Sequence, residues 1–292
     1  MQVGVVFPQT EIGDDVGAIR AYAEAVAEFG FRHVMTYDHV VGADPAAHPD
    51  WPAPYDVHTT FHEPFVLFGF LAALTDLELV TGIIILPQRQ TVLVAKQAAE
   101  VDLLSNGRLR LGVGIGWNWV EYEALGKDFA GRGVRSEEQV GLLRRLWTEG
   151  SVTHDGPSEH VTGAGLSPLP VQRPISIWFG GSSARAYRRA GRIGDGWFPQ
   201  MGPGRELDAA KDVVDAAAIA AGRDPSAVGM DGRSGWASAG LTGVLTEAEL
   251  WRSAGATHLS INTMDAGLGS VDGHIAALGA VAGGLGLTRR PA

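Results

Sequence analysis

Residues 77–86 read LELVTGIIIL, an almost unbroken apolar run of aliphatic and β-branched side chains. A run of that length and kind is a strand covered on both faces, as in a parallel sheet flanked by helices. Residues 91–105, TVLVAKQAAEVDLLS, have the length and composition of a helix and are stopped by Asn106-Gly107. Residues 108–114, RLRLGVG, then open a further strand. Strand, helix and strand in this order are the units from which α/β folds are wound.

The same alternation extends both ways along the chain. Upstream, residues 3–7 and 33–37 read as strands, separated by a helix that Asp14 or Asp15 caps and Gly30 ends. Residues 64–75 form the helix before the run at 77–86. Downstream, residues 175–179, 196–199, 228–232 and 258–262 bring the strands to eight, 228–232 being the least regular because of its glycines. Residues 136–147, 184–192, 205–221, 247–254 and 271–285 supply the helices. Eight strands, each followed by a helix, predict a single (β/α)8 TIM barrel domain over residues 1–292, a fold that typically needs roughly 250 residues. An open doubly wound sheet is the competing architecture if fewer than eight strands form. Two stretches break the rhythm: residues 41–63 after the second strand, and 148–174 after the helix that follows the fourth. Loops of that length in a compact domain commonly act as lids or ligand-binding segments.

Composition narrows the function classes. With 33 acidic against 23 basic residues, the net charge is −10, and no basic patch of the kind a nucleic-acid binder carries is evident. Zero cysteines exclude disulfides and a thiol nucleophile. The N-terminal MQVGVVFPQ has no basic leader and reads as a strand, and no apolar run approaches bilayer length. A soluble, cytoplasmic protein acting on a small molecule, without membrane or nucleic-acid partners, is expected.

In a barrel the chemistry lies at the carboxyl ends of the strands. Tyr37-Asp38-His39 closes the second strand there, placing an imidazole and a carboxylate at the mouth; a turn cap with a surface histidine is the plainer alternative. Gly112-Val-Gly114-Ile-Gly116-Trp117 is spaced GxGxG, not GxGxxG, and follows the fourth strand, so it is no dinucleotide fingerprint. Its glycines either let the backbone approach a flat ring, with Trp117 as a wall, or serve tight packing. Phe179-Gly180-Gly181-Ser182-Ser183 opens a helix, where free N–H groups and hydroxyls make a phosphate cradle or an ordinary N-cap. His62 reads as a pocket wall and Trp197 as core or rim. Trp51, Pro52, Pro54, Tyr55 and Phe61 add an aromatic character. His48, His58 and His62 lack metal-ligand spacing, so no metal site is expected.

Several of these segments resemble the luciferase-like monooxygenase superfamily of flavin- and coenzyme F420-dependent oxidoreductases. They are Tyr37-Asp38-His39-Val40, the run from Leu79 through Thr81-Gly82-Ile83 to Arg89, Ala95-Lys96-Gln97, Gly107 to Trp117, Ile177 to Gly181, and Gly194-Asp195-Gly196-Trp197. The resemblance covers about residues 1–200, with a looser match at 255–262. It implies a coenzyme across the carboxyl ends of the strands, with Asp38 and His39 beside the reactive ring and His39 assisting hydride or proton movement. It also implies a ring backed by Thr81, Gly82 and Ile83, with a cis bond at Gly82–Ile83, flanked by Gly114 and Trp117. Gly180, Gly181 and Ser182 would hold the phosphate, His62, Trp117 and Trp197 the substrate. The F420-dependent sugar-phosphate dehydrogenases of the superfamily carry a proton-transferring glutamate at the position of Trp117, so the resemblance points to other F420 oxidoreductases. FMN with reduced-flavin oxygen chemistry is the alternative cofactor. A non-catalytic phospholigand-binding barrel and a metal-dependent hydrolase are alternatives of other classes. Relatives are commonly homodimers.

Overall fold

Alternating β-rich and helical segments fold as a closed parallel barrel in a computed structural model that describes residues 1–51 and 54–289. Along the chain come β1 (Gln2–Val6), α1 (Val16–Glu28), β2 (His33–Thr36), α2 (Pro64–Leu74), β3 (Glu78–Thr81), β4 (Ile84–Ile85), α3 (Thr91–Leu104) and β5 (Leu109–Gly114). Next are α4 (Trp119–Ala124), α5 (Arg132–Thr148), β6 (Val152–Asp155), β7 (His160–Ala164), β8 (Ser176–Gly180), α6 (Ala184–Ile193) and β9 (Gly196–Phe198). The chain ends with α7 (Arg205–Ala220), β10 (Gly229–Gly235), α8 (Trp236–Ser253), β11 (His258–Asn262) and α9 (Val271–Leu285).

Parallel pairing runs β3-β2-β1-β11-β10-β9-β8-β5, and the pairing of β3 with β5 (Leu79 beside Leu109) closes the ring. The open-sheet alternative is thereby set aside. The third barrel strand has two pieces: β3 and β4 flank the cis peptide Gly82–Ile83, and both pair with β5. Ser167–Pro168 and Arg173–Pro174 are also cis.

Local chemistry sets the helix starts. Asp15 accepts the Gly17 N–H at 2.7 Å, Glu63 accepts that of Val66 at 2.8 Å, and Ser183 that of Ala186 at 3.3 Å. The expected helix at 247–254 is the latter part of α8, which is broken at Gly240. The stretch 148–174, expected to be irregular, contains an antiparallel hairpin of β6 and β7. Its turn carries Gly156-Pro157-Ser158, residues typical of a tight reversal.

Alternation along the short strands sorts side chains between two cores. Val3, Val5, Val34, Leu79, Leu111, Ile177 and Leu259 point outward into the shell beneath the helices. Val6, Met35, Val80, Trp178, Phe198 and Met264 form a separate cluster inside the barrel. Below that plug the interior is polar. Arg110 Nη1 donates to Asp231 Oδ2 at 2.8 Å, its Nη2 to Glu78 Oε2 at 3.0 Å, and its guanidinium lies 4.5 Å from the centre of the Trp178 ring. Ser260 donates to Asp231 Oδ1 at 3.0 Å and contacts His33 Nε2 at 2.8 Å, so the neutral His33 carries its proton on Nε2. Burial first, then Arg110 and His258, hold His33 well below its ordinary value. Gly4 faces this ring, and a Cβ there would overlap the imidazole.

Burial pushes the Asp231 carboxyl up, against the pull of Arg110. Arg110→Met therefore leaves a buried carboxyl without its cation and is expected to cost about 3–5 kcal/mol in urea unfolding at neutral pH. Loss of the cation raises the folded pKa of Asp231 further. The deficit is then largest above that value and shrinks as pH falls through it, where the carboxyl becomes neutral. A deficit that stays constant from neutral to acidic pH would show that Asp231 is not its source.

Candidate active site

The glycines Gly82, Gly114 and Gly180 sit at the carboxyl ends of their strands and line, with Ile83, a cavity of about 450 Å³ at the barrel mouth. One end of the cavity is formed by Gly181, Ser182 and Ser183 ahead of α6. Gly181 has φ +134°, a conformation that a side chain would disfavour. Among the described residues, the backbone N–H groups of Gly181, Ser182 and Ser183 donate no hydrogen bond. Three free donors at the start of a ten-residue helix, with two hydroxyls beside them, fit an anionic group such as a phosphate. The opposite side holds Asp38, His39, Tyr55 and Trp117.

Asp38 is buried at 4% exposure. Its Oδ1 accepts from Arg89 Nη2 at 2.8 Å and its Oδ2 from the Ile85 N–H at 3.1 Å, which ties the loop after β2 to β4. Burial pushes this carboxyl up, while Arg89 and the Ile85 N–H pull it down. Arg89 also reaches Glu63 Oε1 at 3.1 Å, linking the site to the cap of α2.

His39 stands in an aromatic box, its ring 4.8 Å from Phe61, 5.3 Å from Trp117 and 5.4 Å from Tyr55. Its Nδ1 makes a 3.4 Å contact to Glu121 Oε2, and among the described residues its Nε2 has no hydrogen-bond partner. Glu121 is fully buried. Its carboxylate also accepts from Gln88 Nε2 at 3.0 Å, from the Val41 N–H at 3.3 Å and from the Val40 N–H. Burial alone would raise Glu121; the hydrogen bonds of His39, Gln88 and Val40 outweigh it and hold the carboxyl below its ordinary value. Glu121 is thus a carboxylate at neutral pH, so the Nδ1 of a neutral His39 carries the proton.

Asp38, His39, Gly82, Ile83, Gly114, Trp117, Gly180, Gly181 and Ser182 are brought together as cavity lining. Thr81 lies behind it, fully buried, with its hydroxyl donating to Gly112 O at 2.7 Å. Two expected pocket residues lie outside this lining. Trp197 sits on the outward side of β9, 3% exposed, with its ring against Tyr187 of α6 at 5.6 Å. His62 has its Nε2 bonded to Gly13 O at 3.1 Å and its ring against Phe7. Trp51 packs on Trp117 at 5.7 Å, while Pro52 lies outside the described residues. Among the described residues no group of three His, Asp or Glu side chains is placed to hold a metal ion, and no helix is long and apolar enough to cross a membrane.

Sequence reasoning missed Glu121, Gln88 and Arg89 as members of the site. Only Glu121 had a local signal: Asn118-x-x-Glu121 is a helix-capping spacing, and Asn118 Oδ1 does accept the Glu121 N–H at 3.1 Å. Trp117 denies the mouth a carboxylate at its own position, yet Glu121 supplies one from the next helix.

Comparison with known proteins agrees with the barrel fold. A protein of Mycobacterium tuberculosis is 31% identical over 249 residues, 79% of this chain and 87% of that one. The F420-dependent glucose-6-phosphate dehydrogenase of Kribbella flavida is 30% identical over 197 residues, 64% of this chain and 58% of that one. The FMNH2-dependent dimethylsulfone monooxygenase of Pseudomonas fluorescens is 34% identical over 150 residues, 50% of this chain and 40% of that one. Among solved structures, the coenzyme F420-dependent tetrahydromethanopterin reductase of Methanopyrus kandleri shares the fold, with a TM-score of 0.74 at 15% identity over 95% of this chain and 97% of that one. The model of one family, the luciferase-like monooxygenases, matches residues 1–258, and the chain belongs to that family of oxidoreductases.

Proposed function

We propose that the protein is a coenzyme F420-dependent oxidoreductase that transfers a hydride between the deazaflavin and a small organic substrate. The observation that carries this reading is His39, held at Nδ1 by a buried carboxylate while its Nε2, at the cavity wall, has no hydrogen-bond partner among the described residues. A general acid or base needs one ring nitrogen fixed and the other free to exchange a proton.

The residues present suit such a coenzyme. The Gly181–Ser183 turn would hold its phosphate, and Gly82, Gly114 and Gly180 leave room for a flat ring against Ile83. When bound, the reduced coenzyme supplies the hydride, that is, both electrons and one hydrogen. His39 Nε2 supplies the proton that completes reduction of an electron-poor C=C, C=N or C=O bond, and in the reverse direction accepts it. Asp38 and Arg89 position the loop that carries His39. Glu121 orients the imidazole through its contact with Nδ1. The aromatic box keeps water from the proton path. FMN is the second reading for the coenzyme, supported by the identity with the FMNH2-dependent relative. Exposed Val66 on α2 and Leu93 and Leu104 on α3 suit a homodimer.

Paired fluorescence titrations with F420 and FMN test the cofactor. Tighter binding of F420, weakened in the Asp38→Ala/His39→Ala variant, is the expected result; preferential FMN binding would move the reading to oxygen chemistry, and binding of neither would sink it. For an accepted substrate, His39→Ala is expected to lower kcat by about 10²–10⁴-fold without a matching rise in coenzyme Kd. Glu121→Gln keeps an acceptor but removes the charge, and is expected to lower kcat by about tenfold, equivalent to about 1.4 kcal/mol in the barrier. Wild-type kcat in Glu121→Gln would show that the carboxylate is only structural.

A further inference from the structure

Two buried arginines beside the barrel interior are met by carboxylates. Arg89 ends on Asp38 and Glu63, and Arg110 on Asp231 and Glu78. Arg233, half-buried and carried inward by β10, makes no ion pair among the described residues. Its Nη1 donates to the Tyr37 hydroxyl at 3.4 Å and its Nη2 to Gln200 Oε1, both neutral groups. The side chain lies in the wall between the cavity beside His39 and a second chamber of about 460 Å³. Asp231, on the same strand, is within electrostatic range of Arg233 but makes no ion pair with it. A guanidinium partly removed from water and hydrogen-bonded only to neutral groups is set up to take an anion, and its planar fork matches a carboxylate.

The far rim of the second chamber has the opposite sign. Glu11 and Asp265 line it. Glu11 is held in place, Oε2 by His274 Nε2 at 3.0 Å and Oε1 by the Asp265 N–H at 2.6 Å. Asp265 is exposed, and among the described residues its carboxylate has no partner. In a chamber lined by Arg233 together with these two carboxylates, one negative charge on a ligand is attracted to the guanidinium and a second is repelled. Tyr37 and Tyr55 line both the chamber and the coenzyme cavity, so a ligand held by Arg233 lies next to the site where hydride would be delivered.

We propose that the second chamber is the substrate site and that Arg233 anchors a single carboxylate, so that the enzyme selects small monocarboxylic acids over their esters and over dianions. The assignment of the chamber to a hydride acceptor rests on the oxidoreductase reading above; the anion site itself does not. Calorimetric titration with benzoate, methyl benzoate and terephthalate, on the protein alone and loaded with F420 or FMN, tests it. In the wild type, benzoate is expected to bind about tenfold or more tightly than methyl benzoate or terephthalate. Arg233→Met and Arg233→Gln, the second retaining polar donors, are both expected to erase that preference while leaving coenzyme Kd within about threefold. Equal binding of acid and ester to the wild type would overturn the proposal, as would a preference that survives both substitutions. So would a loss of coenzyme affinity with benzoate binding intact, which would assign the guanidinium to the coenzyme. Failure of both coenzymes to bind would remove the hydride-transfer reading alone, because the benzoate preference is also read on the protein without them.

Discussion

Arg110 lies inside the barrel, 2% exposed, and its charge must be answered from the facing strands. Asp231 answers from β10 and Glu78 from β3, while Trp178 of β8 lies under the guanidinium. The group therefore ties elements from opposite parts of the ring, and Ser260 and His33 extend it to β11 and β2. A buried charge satisfied this way resists any slip of strand register, because a shift of one residue would turn Arg110 out into the apolar shell. Above it the interior becomes apolar, with Val6, Met35, Val80 and Phe198 as a plug. Above the plug the inward positions are Gly82, Gly114 and Gly180, and the interior opens into the cavity. Polar floor, apolar plug and open mouth are three levels of one inward-facing alternation.

The mouth depends on a second buried charge. Glu121 gathers donors from two segments: His39, Val40 and Val41 of the loop after β2, and Gln88 beyond β4. These contacts hold the chain at 39–41, where Phe61 and Tyr55 stand against the imidazole. Asp38 does the same for the adjoining turn through Arg89 and the Ile85 N–H. The two carboxylates divide the work by environment. Asp38 is locked between a cation and the backbone, whereas Glu121 places its charge beside a ring whose other nitrogen has no partner among the described residues. The mouth is therefore rigid around His39 and open toward Ser182 and Arg233.

Much of this was legible in the residues alone. The apolar runs, helix caps and glycine stops located the eight barrel strands, including β10 despite its glycines, because periodicity and turn chemistry are local properties. The strand-end residues Asp38, His39, Gly114 and Gly180 could be assigned to the mouth because a parallel barrel puts all carboxyl ends on one face. Which way a side chain points was less legible. In strands covered on both sides, inward and outward residues are alike in hydropathy, so Trp197 read as a possible rim residue and proved to be packed against α6. The hairpin of β6 and β7 was hidden by its polar composition, since only one residue in each strand is buried. The long-range electrostatics were not legible at all. Arg110 meets Asp231 across 121 positions and His39 meets Glu121 across 82, and no local pattern marks such pairs. The sequence by itself determined the elements, their order and the end of the barrel where chemistry is possible. Tertiary closure alone decided which charges are paired and that Arg233, among the described residues, makes no ion pair, because the partners of a buried charge are whatever the closing ring brings within reach of it.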